Sequence, residues 1–182
     1  MSAGVARYHP FAVVLHWLTA LLVVVAVPLG AVLHELPRVP STFAYYNLHK
    51  GLGATVFFVM VLRLAWRWRH PAPAPLPGPA WQRQAAAATH ALLYALLLAV
   101  PLVGWLASQA GGHPLVWFGV LPLPAPVPVD KALNEALHRV HSVLAWSLTG
   151  LVGLHVAAAL KHRLLDHDAV LSRMGFGRRT AR

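Results

Sequence analysis

The chain has 182 residues, 15 Lys and Arg against 5 Asp and Glu, a formal net charge of +10, 12 His and no Cys. Its 58% hydrophobic share exceeds the roughly 45–50% of a soluble chain and excludes a disordered polyelectrolyte. The missing thiols exclude disulfides, iron–sulfur clusters, Cys-held zinc and C-x-x-C-H attachment, and the length fits one domain, 1–182.

Four apolar stretches are long enough to cross about 30 Å of hydrocarbon as helices. The first runs from about Phe11 to Leu33. It is longer than a signal-peptide core and lacks a clean small-x-small cleavage site, so it is expected to be retained. The second runs from about Leu48 to Trp66 and leads into WRWRHPAPAPLPGPAWQRQ, whose prolines favour an extended linker. The third runs from about Ala86 to Ser108. The loop after it, Gln109 to Asp130, is rich in Gly and Pro and carries an apolar patch, Leu115 to Val120, expected at the membrane surface. The fourth runs from about Leu137 to Leu160. The pattern predicts an all-α, four-helix transmembrane bundle in contact with membrane lipid.

The basic residues sort by side. Arg7, Arg63, Arg67, Arg69, Arg83, Lys161, Arg163, Arg173, Arg178, Arg179 and Arg182 fall on one side; Arg38, Lys50, Lys131 and Arg139 fall on the other. The excess predicts that both termini are cytoplasmic. The charge is thus an orientation signal with anionic-lipid contact, and no nucleic-acid partner is expected, because no folded basic domain carries these residues.

Histidines near the water interface, such as His9, His34, His70, His113 and His167, read as solvated loop residues. Those within spans are costly and point to function. His141 and His155 are 14 residues apart, which places them within about 40° on one helix face and about 21 Å apart along the axis. His16 matches His155 in depth near the cytoplasmic side, and His49 matches His141 near the outer side. Two stacked imidazole pairs suit two haem b groups with bis-His axial ligation between helices. Zinc prefers ligands gathered in one cluster, and no acid lies within a span. Gly51, Gly53, Gly150 and Gly153 have two readings, room for a flat ring or close helix packing. His138 is the rival to His141 as the outer ligand, but its depth is more interfacial.

At these residues the sequence resembles the bacterial cytochrome b561 family of small four-helix, di-haem b membrane proteins of the inner membrane. The matching motifs are His16-Trp17-Leu18, Asn47-Leu48-His49 with Gly51, and Leu62-Arg63-Leu64 with Arg67. They continue with Thr89-His90-Ala91-Leu92-Leu93-Tyr94, Pro101-Leu102-x-Gly104, His138-x-x-His141 and Gly153-Leu154-His155 through His162. The resemblance implies haem ligation by His16 with His155 and by His49 with His141, and electron exchange with ubiquinone. Some members resemble superoxide oxidases, which take an electron from superoxide at the periplasmic face. Similar b-type subunits of hydrogenases and dehydrogenases receive electrons from a partner protein instead. The short tails favour a stand-alone oxidoreductase over such an anchor. A third possibility is a His-rich metal transporter or structural membrane protein without haem.

Other residues have paired readings. Arg63 and Arg67, four apart on the second helix, suit haem propionates, lipid phosphate or positive-inside anchoring. Lys50 and Arg139, next to the outer ligands, suit propionates or an incoming anion, or mark the boundary. His90 and His162 suit a quinone or proton site, or the interface. Most of the seven Trp sit at span ends as an aromatic belt, while Trp17 and Trp146 lie near candidate ligands. No residue is assigned a catalytic role.

Overall fold

The computed structural model describes residues 7–175. Arg178, Arg179 and Arg182 of the charge count lie outside them.

Four long helices dominate: α1 (Pro10–Glu35), α2 (Phe43–Arg69), α3 (Ala80–Ala110) and α4 (Lys131–Leu164). All four are long and apolar enough to cross a membrane, and they form a four-helix bundle. Each begins or ends where local chemistry dictates. At α1, Pro10 occupies the first helical position, where its missing N–H costs nothing, and Nδ1 of His9 accepts from the Phe11 amide at 3.2 Å. At α4, Asp130 accepts from the Leu133 amide at 2.7 Å, an N-cap that starts the helix ahead of its apolar stretch. Helices α2 and α3 also overrun their apolar windows, to Arg69 and from Ala80. Hydropathy falls at the charged residues there, but the helix stops only at the proline run, so the linker is shorter than the sequence predicts.

Packing is sequential. Helix α2 lies between α1 and α3, and α4 packs mainly on α3. Val23, Val56, Met60, Leu93, Leu97 and Leu148 form the buried core. The outward faces are apolar, with Val14, Leu21, Val24, Val143, Trp146 and Leu154 all more than half exposed. Lipid, which needs no hydrogen bonds, is the natural solvent for such a belt. Helix α4 buries only Leu148. Along the seam with α1 a cavity of about 220 Å³ is lined by Val23, Val24, Val27, Pro28, Thr149 and Val152.

The third loop is more ordered than its composition implies. Val116–Trp117 pairs antiparallel with Leu121–Pro122. Phe118 and Gly119 at the turn have φ of 48° and 75°, the left-handed pair that a tight hairpin turn requires. Trp117 Nε1 donates to Thr55 Oγ1 at 3.0 Å, so the hairpin lies against α2. A Cβ on Gly51 would come within 2.9 Å of the Phe118 ring. Gly51 therefore accommodates the hairpin.

Candidate functional site

Two imidazole pairs stand at different levels of the bundle. The near pair, toward the end that carries the termini, is His16 of α1 and His155 of α4, with ring centroids 6.3 Å apart. The far pair is His49 of α2 and His141 of α4, again with centroids 6.3 Å apart. With metal–nitrogen bonds of about 2 Å at each ring, one ion between two imidazoles sets the centroids about 6 Å apart. Both pairs therefore have the spacing at which two imidazoles could share one metal.

The far pair is oriented from behind. Nδ1 of His49 donates to the carbonyl of Ala26 at 3.2 Å, and Nδ1 of His141 donates to the carbonyl of Val100 at 2.9 Å. A carbonyl can only accept, so both protons sit on Nδ1 and each Nε2 keeps its lone pair. Metal-binding histidines commonly have such a backing acceptor.

The near pair is built differently. Arg63 Nη2 donates to Nδ1 of His16 at 3.1 Å. The Arg63 guanidinium also lies 5.2 Å from the Tyr94 ring, and that of Arg67 lies 5.9 Å from it. His90 of α3 approaches His155, with centroids 5.4 Å apart. Trp17 stands edge-on to His16 at 5.0 Å, and its Nε1 donates to the Met174 carbonyl. This level thus gathers three imidazoles and two guanidiniums, and the five acids of the chain, Glu35, Asp130, Glu135, Asp166 and Asp168, all lie outside the apolar stretches predicted from the sequence.

The remaining candidates separate. His162 bonds to Asp168 at 2.6 Å and contacts Asp166 at 3.2 Å, beyond the last turn of α4. Lys161 also pairs with Asp166, at 2.6 Å, and its hydrogen bond holds the Asp166 carboxyl below the usual carboxylate range. His162 is thus part of a terminal ion-pair cluster. His138 accepts from Arg38 Nη2 at 2.9 Å, while His141 is the ring brought to His49. Lys50 reaches the Pro114 carbonyl at 3.4 Å. Arg139 and Trp146 are exposed. Gly53 makes an ordinary contact with Pro101, whereas Gly150 and Gly153 face open space.

Sequence reasoning missed two other glycines. A Cβ on Gly30 would lie 2.7 Å from Cε1 of His49, and one on Gly104 would lie 2.8 Å from Cε1 of His141. Gly104 stood in a quoted motif, but nothing in the sequence alone said which ring would meet it.

Comparison with known proteins gives the family. Residues 7–177 match the family model described as prokaryotic cytochrome b561. The chain is 35% identical over 177 residues to cytochrome b561 homolog 2 of Escherichia coli K12, covering 92% of this chain and 90% of that protein. It is 31% identical over 174 residues to cytochrome b561 homolog 1 of the same organism, covering 92% and 96%. A shorter match, 31% over 85 residues, covers 47% of this chain and 48% of the probable superoxide oxidase CybB of Yersinia pestis. The chain belongs to the prokaryotic cytochrome b561 family, and with it to the haem b-binding, multi-pass proteins of the bacterial inner membrane.

Proposed function

We propose that this protein is a di-haem b cytochrome that carries electrons across the membrane to ubiquinone, with superoxide as a donor at the periplasmic face. The observation that carries the reading is the repeated 6.3 Å spacing of His16/His155 and His49/His141. In this reading His16 with His155 hold one haem and His49 with His141 the other. Each haem supplies a one-electron couple when bound. The apolar cavity on the α1/α4 seam supports a dry environment between the helices that carry His16, His141 and His155.

The residues around each pair have separate tasks. Ala26 and Val100 fix the tautomer of the far ligands. At the near pair, ligation through Nε2 of His16 would require the proton on Nδ1, and Arg63, which donates to that nitrogen, would then turn to an anionic partner such as a haem propionate. Arg67 supports the same charge. His90, beside His155, is placed to hold a quinone oxygen or pass its proton. The charge asymmetry supports cytoplasmic termini, and with them a periplasmic far pair. There Lys50, next to His49, attracts an anionic donor. The partial likeness to a probable superoxide oxidase supports superoxide as that donor.

Stopped-flow mixing tests the reading. Superoxide is expected to reduce the haems of the purified protein, and a short-chain ubiquinone is expected to reoxidise them. Haems that superoxide leaves oxidised would remove the donor assignment. Haems that ubiquinone leaves reduced would remove the acceptor.

A further inference from the structure

Each ring of the far pair meets a different neighbouring helix, yet the two contacts have the same construction. His49 bonds to the carbonyl of Ala26 and passes over Gly30, four residues later on α1. His141 bonds to the carbonyl of Val100 and passes over Gly104, four residues later on α3. In a helix that carbonyl already takes the N–H of the residue four later, so it accepts a second bond through its other lone pair. The side chain at that later position points back along the helix over the same carbonyl. Any side chain there stands where the imidazole must pass: the added Cβ would fall 2.7 Å from His49 and 2.8 Å from His141. Helix propensity alone favours alanine over glycine at both positions, so the missing side chain answers to the ring.

We infer that Gly30 and Gly104 are positioning residues for the far pair: each opens a notch through which the imidazole Nδ1–H reaches the carbonyl one turn earlier. The inference rests on the haem reading above. The notch sets ligand strength as well as position. An Nδ1–H bonded to a carbonyl makes the imidazole a stronger donor to the metal, which favours the ferric state. Among the described residues no glycine opens such a notch at His16 or His155. The two haems are therefore unequal by construction, with the far one at the lower potential.

Redox titration of the purified full-length protein, followed by absorbance and by low-spin EPR, tests this. Haem content by pyridine haemochromogen is measured first; a protein that binds no haem refutes the haem reading itself. With two haems bound, Gly30→Ala and Gly104→Ala are each expected to raise the potential of the far haem and shift its EPR signal, or to lose that haem alone. The near haem should be unchanged. Gly78→Ala, which adds the same methyl in the linker before α3 against an ordinary 3.7 Å contact with Gln82, should move neither. A far haem unaltered in both glycine variants overturns the inference and leaves the haem reading standing. Should neither variant accumulate, His16→Ala and His49→Ala decide: the haem left in the first should titrate below the haem left in the second, and the equal or reverse order overturns the inference.

Discussion

Arg63 and His16 meet within a membrane span, guanidinium Nη2 to ring Nδ1 at 3.1 Å. A cation at that depth, with the five acids of the chain all outside the apolar stretches of the sequence, needs an anionic or aromatic partner. Tyr94 supplies the aromatic one. Arg63→Gln is expected to lower the potential of the near haem and leave the far haem unchanged. One neighbouring charge acting through an effective dielectric of about 20 is worth on the order of 1 kcal/mol. For a one-electron couple that is roughly 50 mV. Spectroelectrochemical titration reads it, and an equal shift of both haems contradicts the placement.

The hairpin of the third loop lies against α2, where Trp117 meets Thr55 and Phe58 and Phe118 covers Gly51. Thr55→Val removes the acceptor for Trp117 Nε1 and should cost about 1 kcal/mol locally. Gly51→Leu drives a side chain into the Phe118 ring and should cost more. Both are expected to speed proteolysis between Gly112 and Val129 while the helical circular dichroism stays the same. Cleavage at the wild-type rate in both variants would show that the hairpin is held elsewhere.

At the end that carries the termini, Asp166 faces Lys161 and His162. Its folded pKa is depressed, so the stabilisation it gives is present above the unfolded carboxylate pKa of about 3.9 and is lost as pH falls through the lower folded value. The pair is exposed, and salt screens it. Asp166→Asn should therefore leave the melting temperature unchanged at neutral pH in 0.15 M salt. A drop of several degrees would show that the cluster holds the segment beyond α4 in place.

Orientation has its own check. A fluorescent protein fused after Arg182 should fold and fluoresce, and alkaline phosphatase at the same position should be inactive. The opposite result would place the far pair on the cytoplasmic side.

Much of this molecule was legible from sequence because helices are regular. Fourteen residues between His141 and His155 fix one face and two depths, and counting inward from span ends pairs each with the ring the structure sets 6.3 Å away. Helix ends were less legible. Hydropathy reports where charge begins, whereas caps such as Asp130 and breakers such as the proline run decide where helix begins and stops. The roles of single glycines were not legible. Gly51, Gly30 and Gly104 read alike in the sequence, and only the rotation of each helix shows that the first meets Phe118 and the others meet imidazoles. The contacts of His162 were hidden for a different reason: the segment beyond α4 turns Asp166 and Asp168 back onto it.

The central claim is that two stacked histidine pairs hold two haems. Haem content of the purified protein, measured by pyridine haemochromogen in the wild type, His16→Ala and His49→Ala, tests it most directly. The account predicts two haems b per chain, falling to one in each variant, with different spectra for the haem that remains. A wild type holding one haem or none, or variants that keep both, would contradict it.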